Sequence, residues 1–208
     1  MPTHNCLTFL IIEPNPILAD SLLGIFHSHY SNAKVLTATT VHEARQATKN
    51  NKIDLMMIEP EIDKNEGFNL IANFSKFTSN TKILCYSDLK LPKATTLLQQ
   101  LGSHGLISKQ TNKIEIVNAI NFLLSGFTLF KLESGTEHVS LSKRESLVFC
   151  YLCKGMTNKQ ISHKLFLSEK TISTYKTRLL KKMNTDSFIS LITHNGYLNT
   201  DFTSSILV

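Results

Sequence analysis

The first ~125 residues alternate five short apolar runs with five stretches of helical periodicity, and that alternation limits the fold more than any other feature. Leu7–Ile12, Lys34–Ala38, Ile53–Ile58, Lys82–Tyr86 and Gly105–Ile107 read as strands. Pro16–His29, Val41–Lys49, Gly67–Phe77, Leu91–Leu101 and Ile114–Leu124 read as the helices between and after them. Strands separated by helices form a parallel sheet covered on both faces, with right-handed crossovers. The expected class is α/β, a doubly wound five-stranded parallel sheet. In such a sheet the functional crevice lies beyond the carboxyl ends of the strands. Those ends carry Glu13, Glu59, Ser87 and Lys109: two carboxylates, a hydroxyl and an ammonium that four strands would deliver to one place.

A second, all-helical unit follows a linker. Residues 127–140, which include Ser134 and Gly135, read as the connection between a domain at 1–126 and one at 141–208. Ser142 and Glu145 fit a capping box, opening a helix through Val148, Phe149 and Leu152 that stops at Gly155. Thr157 and Gln160 fit another, and start a helix of only about two turns with Ile161 and Leu165 inside. After a turn at Phe166 and Leu167, Ser168 caps a longer helix. Its buried stripe is Ile172, Leu179 and Met183, with Tyr175 beside them. A short helix, a tight turn and a longer polar-faced helix make a helix-turn-helix, whose second helix fits the major groove of B-DNA. The last helix is expected near Ser187–His194, where Phe188 and Leu191 are dimer candidates and Ile189 and Ile192 fit core packing.

The exposed face of the longer helix carries Lys170, Ser173, Thr174, Thr177, Arg178 and Lys181 at helical spacing, without an acid or a large apolar group. Ser173, Thr174 and Thr177 sit centrally and suit base edges. Lys170, Lys176, Arg178, Lys181 and Lys182 suit phosphates. Charge agrees: residues 1–135 hold 12 Lys+Arg against 11 Asp+Glu, and residues 136–208 hold 10 against 5. A basic module beside a neutral one suits nucleic acid. A membrane-surface helix would need a broad apolar wall opposite its basic face, and this one has a narrow stripe. No apolar run approaches a membrane span, and the Leu7–Ile12 run is too short for a signal peptide, so the expected location is the cytoplasm. Cys150 and Cys153 form a C-x-x-C pair inside an apolar helical pattern without metal-ligand partners, and read as small core residues. Dinucleotide, Walker and nucleophile-elbow motifs are lacking, so an enzyme is not expected.

The stretches LSKRES, KGMTNKQIS and LFLSEKTISTYKTRLLKKM, together with GLISK at 105–109, resemble two-component response regulators of the NarL/FixJ type. Residues 170–182 look like the BvgA/EvgA branch. The resemblance covers nearly the whole chain and implies a CheY-like receiver followed by a LuxR-type helix-turn-helix. It implies a duplex-DNA-binding transcription regulator that acts as a homodimer, with a sensor kinase or another regulator as further partner. Receivers of this family place two acids after the first strand to help bind Mg²⁺, and an acceptor Asp at the end of the third. Here Glu13 and Pro14 stand at the first pair and Glu59 at the acceptor; Ser87 and Lys109 match the hydroxyl and lysine positions, and Leu106 stands at the switch aromatic.

Acyl-phosphate formation needs an in-line carboxylate and a divalent ion. Mg²⁺ demands near-octahedral oxygen ligation, and one carboxylate is missing. A nucleophile displaced by about 1 Å costs roughly 100-fold in rate. The expectation is a pseudo-receiver without a cofactor, in which Glu59 reaches toward Lys109 and Ser87. The alternatives are a phosphorylation-gated receiver using Glu59 or Asp63, and an interaction module that pairs with other regulators.

Overall fold

The computed structural model describes residues 6–77, 80–91, 93–130, 140–185 and 187–188, with the side chains of 75–77 excepted. Five strands form one parallel sheet in the order β2-β1-β3-β4-β5: β1 (Thr8–Ile12), β2 (Lys34–Ala38), β3 (Leu55–Ile58), β4 (Lys82–Tyr86) and β5 (Gly105–Ile107). The helices α1 (Pro16–His29), α2 (Val41–Asn50), α3 (Ile62–Phe77), α4 (Ala94–Leu101) and α5 (Lys113–Leu124) alternate with them. This is the doubly wound order that reverses between β1 and β3 and opens a crevice there.

Alternation along the strands divides the core between the two faces. Phe9, Ile11, Leu55, Met57, Leu84 and Tyr86 pack with Leu22 and Phe26 of α1 and with Ile116, Ala119, Ile120 and Leu123 of α5. Phe9 and Phe26 meet at 4.9 Å between ring centroids, a tilted aromatic pair at the centre of that face. The alternate residues Leu10, Ile12, Met56, Ile58, Ile83 and Cys85 are equally buried. Strands buried on both faces are continuously apolar, and the LMMI of β3 is the extreme case.

Local chemistry explains where the helices begin. Asn15 caps α1 by accepting from the N–H groups of Ile17 and Leu18, and Pro16 takes the first helical position, where no donor is needed. Thr40 caps α2 and Asn112 caps α5. The sequence pattern starts the third helix at Gly67, whereas α3 begins at Ile62 and is interrupted by three consecutive left-handed residues, Asp63, Lys64 and Asn65, with φ of 50°, 54° and 73°. Left-handed backbone costs non-glycine residues about 1–2 kcal/mol each. Its compensation is tertiary: the Asp63 carboxylate accepts from the N–H of Val41 at 2.6 Å, satisfying a free donor in the first turn of α2. Helical periodicity within 62–77 carries no sign of a partner 22 residues upstream.

Three helices build the C-terminal module: α6 (Lys143–Cys153), α7 (Asn158–Leu165) and α8 (Glu169–Lys182). Both capping boxes form, Ser142 with Glu145 and Thr157 with Gln160, and Ser168 accepts from the N–H of Thr171. Leu147, Val148, Phe149, Tyr151, Ile161, Leu165, Ile172 and Leu179 are among its buried apolar side chains. The turn between α7 and α8 passes through Phe166 in a left-handed conformation, φ 54°, with 93% of its surface exposed. Cys150 and Cys153 are free thiols on α6, and burial pushes Cys153 up to about 12 and Cys150 further, so both stay protonated.

By contacts the chain divides into residues 1–89 with 101–132, and residues 90–100 with 133–208. Most of the expected linker, residues 131–139, and the part of the last helix carrying Ile189, Leu191 and Ile192 lie outside the described residues.

Gly67 has a packing reason to be glycine. A Cβ there would lie 2.6 Å from the carbonyl oxygen of Pro60 and 2.9 Å from that of Glu59. Gly67→Ala is expected to lower receiver stability by about 1–3 kcal/mol. Urea unfolding followed by circular dichroism checks it, and an unchanged midpoint would refute this account of the close approach.

Candidate functional site

The strand ends bring Glu13, Glu59, Ser87 and Lys109 together. Lys109 Nζ lies 2.8 Å from Glu13 Oε2 and 2.8 Å from Glu59 Oε2. Glu59 Oε1 accepts from the Ser87 hydroxyl at 2.8 Å and from the N–H of Glu61 at 3.0 Å. Glu13 Oε1 accepts from the N–H of Asn15 at 2.9 Å. Both carboxylates are buried, Glu13 at 1% and Glu59 at 7% exposure. Every carboxylate oxygen of the cluster therefore has an ammonium, hydroxyl or N–H beside it, the condition under which buried charge is tolerated.

Lys109 is itself held on both sides. Its N–H donates to Asp88 Oδ1 at 3.0 Å, and its carbonyl accepts from the Tyr86 hydroxyl at 3.1 Å. Burial opposes the ammonium, but the two carboxylates outweigh it and hold its pKa above the ordinary lysine value. Tyr86 and Asp88 flank Ser87 in sequence, yet nothing in that order signals that they position the lysine.

The donor set does not suit Mg²⁺. Pro14 is exposed and offers no side-chain oxygen, and the oxygens of Glu13 and Glu59 are engaged as described. A divalent ion would have to displace Lys109 to find its ligands. Asp63 is not in the cluster: its carboxylate is committed to the start of α2.

On α8 the structure exposes Lys170, Ser173, Thr174, Thr177, Arg178 and Lys181 on one face, opposite the buried Ile172 and Leu179. Two of the expected phosphate contacts, Lys182 and Lys176, also have partners within the chain. Lys182 Nζ lies 2.8 Å from Glu145 Oε2 and 3.0 Å from the carbonyl of Ser140, tying the end of α8 to the start of α6. Lys176 Nζ sits 5.9 Å from the ring centroid of Phe188, a cation–π contact. Sequence reasoning grouped all five cations because one helix carries them; a partner 37 residues upstream gives no local signal. The Thr174 hydroxyl donates to the carbonyl of Lys170 at 3.0 Å, and that of Thr177 to the carbonyl of Ser173 at 3.1 Å. Asn158 at the start of α7, absent from the sequence reading, donates through Nδ2 to Ser173 Oγ at 3.1 Å.

Residues 9–121 match the response regulator receiver domain, and residues 139–194 match the bacterial regulatory proteins of the luxR family. The chain is a NarL/FixJ-type response regulator. It is 28% identical to the Fimbriae Z protein of Salmonella typhimurium over 88% of this chain and 93% of that one. It is 32% identical to BvgA of Bordetella pertussis over 67% and 73%, and 29% identical to the DNA-binding transcriptional activator EvgA of Escherichia coli over 88% and 95%. In fold it is similar to RcsB of Salmonella enterica serovar Typhimurium bound to the rprA promoter, with a TM-score of 0.73 at 19% identity over 92% of this chain and 99% of that one. In this response regulator Glu59, beyond the end of β3, is engaged by Lys109 and Ser87. No described helix of it is long and apolar enough to cross a membrane.

Removing the ammonium while leaving both carboxylates buried is expected to cost about 3–5 kcal/mol at neutral pH, as for other broken buried pairs. Lys109→Met is the variant that removes it. In the parent protein Lys109, with its raised pKa, contributes fully below 10.5, and its contribution is lost as pH rises through the folded value. Chemical denaturation across the pH range measures both. A variant as stable as the parent at neutral pH would show that the pairing is energetically idle.

Proposed function

We propose that this response regulator is a sequence-specific transcription regulator that binds duplex DNA as a homodimer, and that its receiver operates without aspartyl phosphorylation. The observation that carries the second half is the Lys109 ammonium bridging Glu13 and Glu59 while Ser87 donates to Glu59. The Glu59 carboxylate occupies the hydroxyl and the ammonium that a phosphoryl group on the acceptor would use. Its oxygens are hydrogen-bonded or ion-paired, so it is a poor nucleophile, and the set lacks the second acid an Mg²⁺ site needs. In this reading 1–126 is the pseudo-receiver, 127–140 the linker and 141–208 the DNA-binding domain, and the protein works in the cytoplasm.

DNA binding rests on the exposed polar face of α8, the basic excess of residues 136–208 and the luxR-family match. EvgA is a DNA-binding transcriptional activator, and RcsB has been seen as dimers bound to DNA; the same activities are proposed here. Ser173, Thr174 and Thr177 read bases. Lys170, Arg178 and Lys181 hold phosphates, with Lys176 at the margin. Lys182 serves the α6–α8 joint instead.

Incubation with acetyl phosphate and Mg²⁺ tests the receiver: the intact mass is expected not to change. A gain of one phosphoryl group that disappears in Glu59→Gln would establish the phosphorylation-gated alternative. Selection from random duplexes with the untreated protein, at near-physiological salt, is expected to enrich a motif with two half-sites. Binding that merely fades as salt rises would contradict specific recognition by the unmodified protein.

Lys181→Ala and Lys182→Ala separate the two lysine roles. Loss of Lys181 should weaken binding to all sequences and reduce the salt slope by about one. Loss of Lys182 should chiefly lower the melting temperature. Glu145 is buried, but the Lys182 ammonium and its capping bonds outweigh desolvation and hold its pKa below 4.5. Its contribution is therefore present at neutral pH and lost as pH falls through the folded value, so the deficit of Lys182→Ala should be larger at neutral pH than in acid. Equal salt slopes in the parent and Lys181→Ala would remove Lys181 from the interface.

A further inference from the structure

The exposed hydroxyls of α8 are not equivalent, because each already has one intramolecular partner. A backbone carbonyl only accepts, so Thr174 and Thr177 have committed their protons to Lys170 and Ser173. What they show to solvent is oxygen lone pairs and a methyl group. Ser173 is the reverse. Its oxygen accepts from Asn158 Nδ2 at 3.1 Å, and no bond from its proton is formed among the described residues.

We propose that Asn158 is a positioning residue that keeps the Ser173 proton available to DNA, while Thr174 and Thr177 act only as acceptors, so that of these three hydroxyls one alone can donate to a base. The proposal rests on the reading that this face of α8 meets the major groove. There guanine and thymine offer acceptors, adenine an acceptor and a donor, and cytosine only an amino donor. With one lone pair taken by Asn158, Ser173 keeps its proton and one lone pair, so of the three hydroxyls it alone can meet the acceptors of guanine and thymine. Threonines that only accept favour adenine and cytosine, and their methyl groups accommodate the thymine methyl. Hydroxyls are ordinarily permissive readers because they rotate; the carbonyl bonds remove that freedom from the threonines, and the Asn158 bond takes one acceptor site of the serine.

Asn158→Asp tests the polarity. A carboxylate accepts only, so it takes the Ser173 proton and turns the serine oxygen toward DNA as an acceptor. An acid is favoured in the first turn of α7 by the helix dipole, so the module is expected to fold; a melting curve by circular dichroism checks this. The added charge lowers affinity for every duplex, so the readout is the ratio between duplexes. Competition binding on the selected motif, with each base pair varied, should show one position at which Asn158→Asp lowers binding to guanine or thymine relative to adenine or cytosine by roughly three- to tenfold, the scale of one net hydrogen bond. That shift should be absent when Ser173→Ala is present in both proteins. Asn158→Ala, which lets the Ser173 hydroxyl turn to the carbonyl of Glu169 as the threonines turn to theirs, should shift the ratio the same way by less.

If Ser173→Ala shifts a base preference but the Asn158 variants keep the parent's preferences at every position, the polarity proposal is overturned and the DNA-reading face stands. If Ser173→Ala and Thr174→Ala both leave the selected motif unchanged, the placement of the helix is wrong and the proposal falls with it.

Discussion

One ammonium group holds the receiver's crevice together. Lys109 lies beyond β5, Glu13 beyond β1 and Glu59 beyond β3, and Ser87 beyond β4 joins through Glu59. Two buried carboxylates and one cation leave the cluster negative by one charge. Such a cluster is stable only if its remaining oxygens find donors, and they find them in the N–H groups of Asn15 and Glu61 and in the serine hydroxyl. The surrounding backbone is placed accordingly. Gly67 lets α3 close on the carbonyls of Glu59 and Pro60, and Asp88 and Tyr86 hold the loop that carries Lys109.

The strained turn after Glu59 belongs to the same arrangement. Three left-handed residues are maintained where one of them, Asp63, caps a neighbouring helix. An acid in the loop beyond Glu59 thus has a structural task at the start of α2.

The DNA-binding module shows the same separation of structural from recognition groups. Lys182 leaves the basic face to pair with Glu145, which simultaneously completes the capping box of α6. Lys176 turns to Phe188. What remains exposed is a compact set of hydroxyls between cations. The directions of their internal hydrogen bonds decide which of them offers a proton.

Much of this was legible in the chain, because local rules govern it. Apolar runs of three to six residues between helical patterns fix the parallel sheet. Ser142, Thr157 and Ser168 mark helix starts, since a hydroxyl three residues before a free N–H caps wherever it occurs. The convergence of Glu13, Glu59, Ser87 and Lys109 was readable because strand ends in a doubly wound sheet share one edge. The tertiary structure alone decided how far Glu59 reaches, that Asp63 caps α2, that Lys182 belongs to Glu145 and that Asn158 meets Ser173. The last three of these pairs lie 15 to 37 residues apart. Periodicity reports which face of a helix a residue occupies, and only packing fixes which distant side chain stands opposite it.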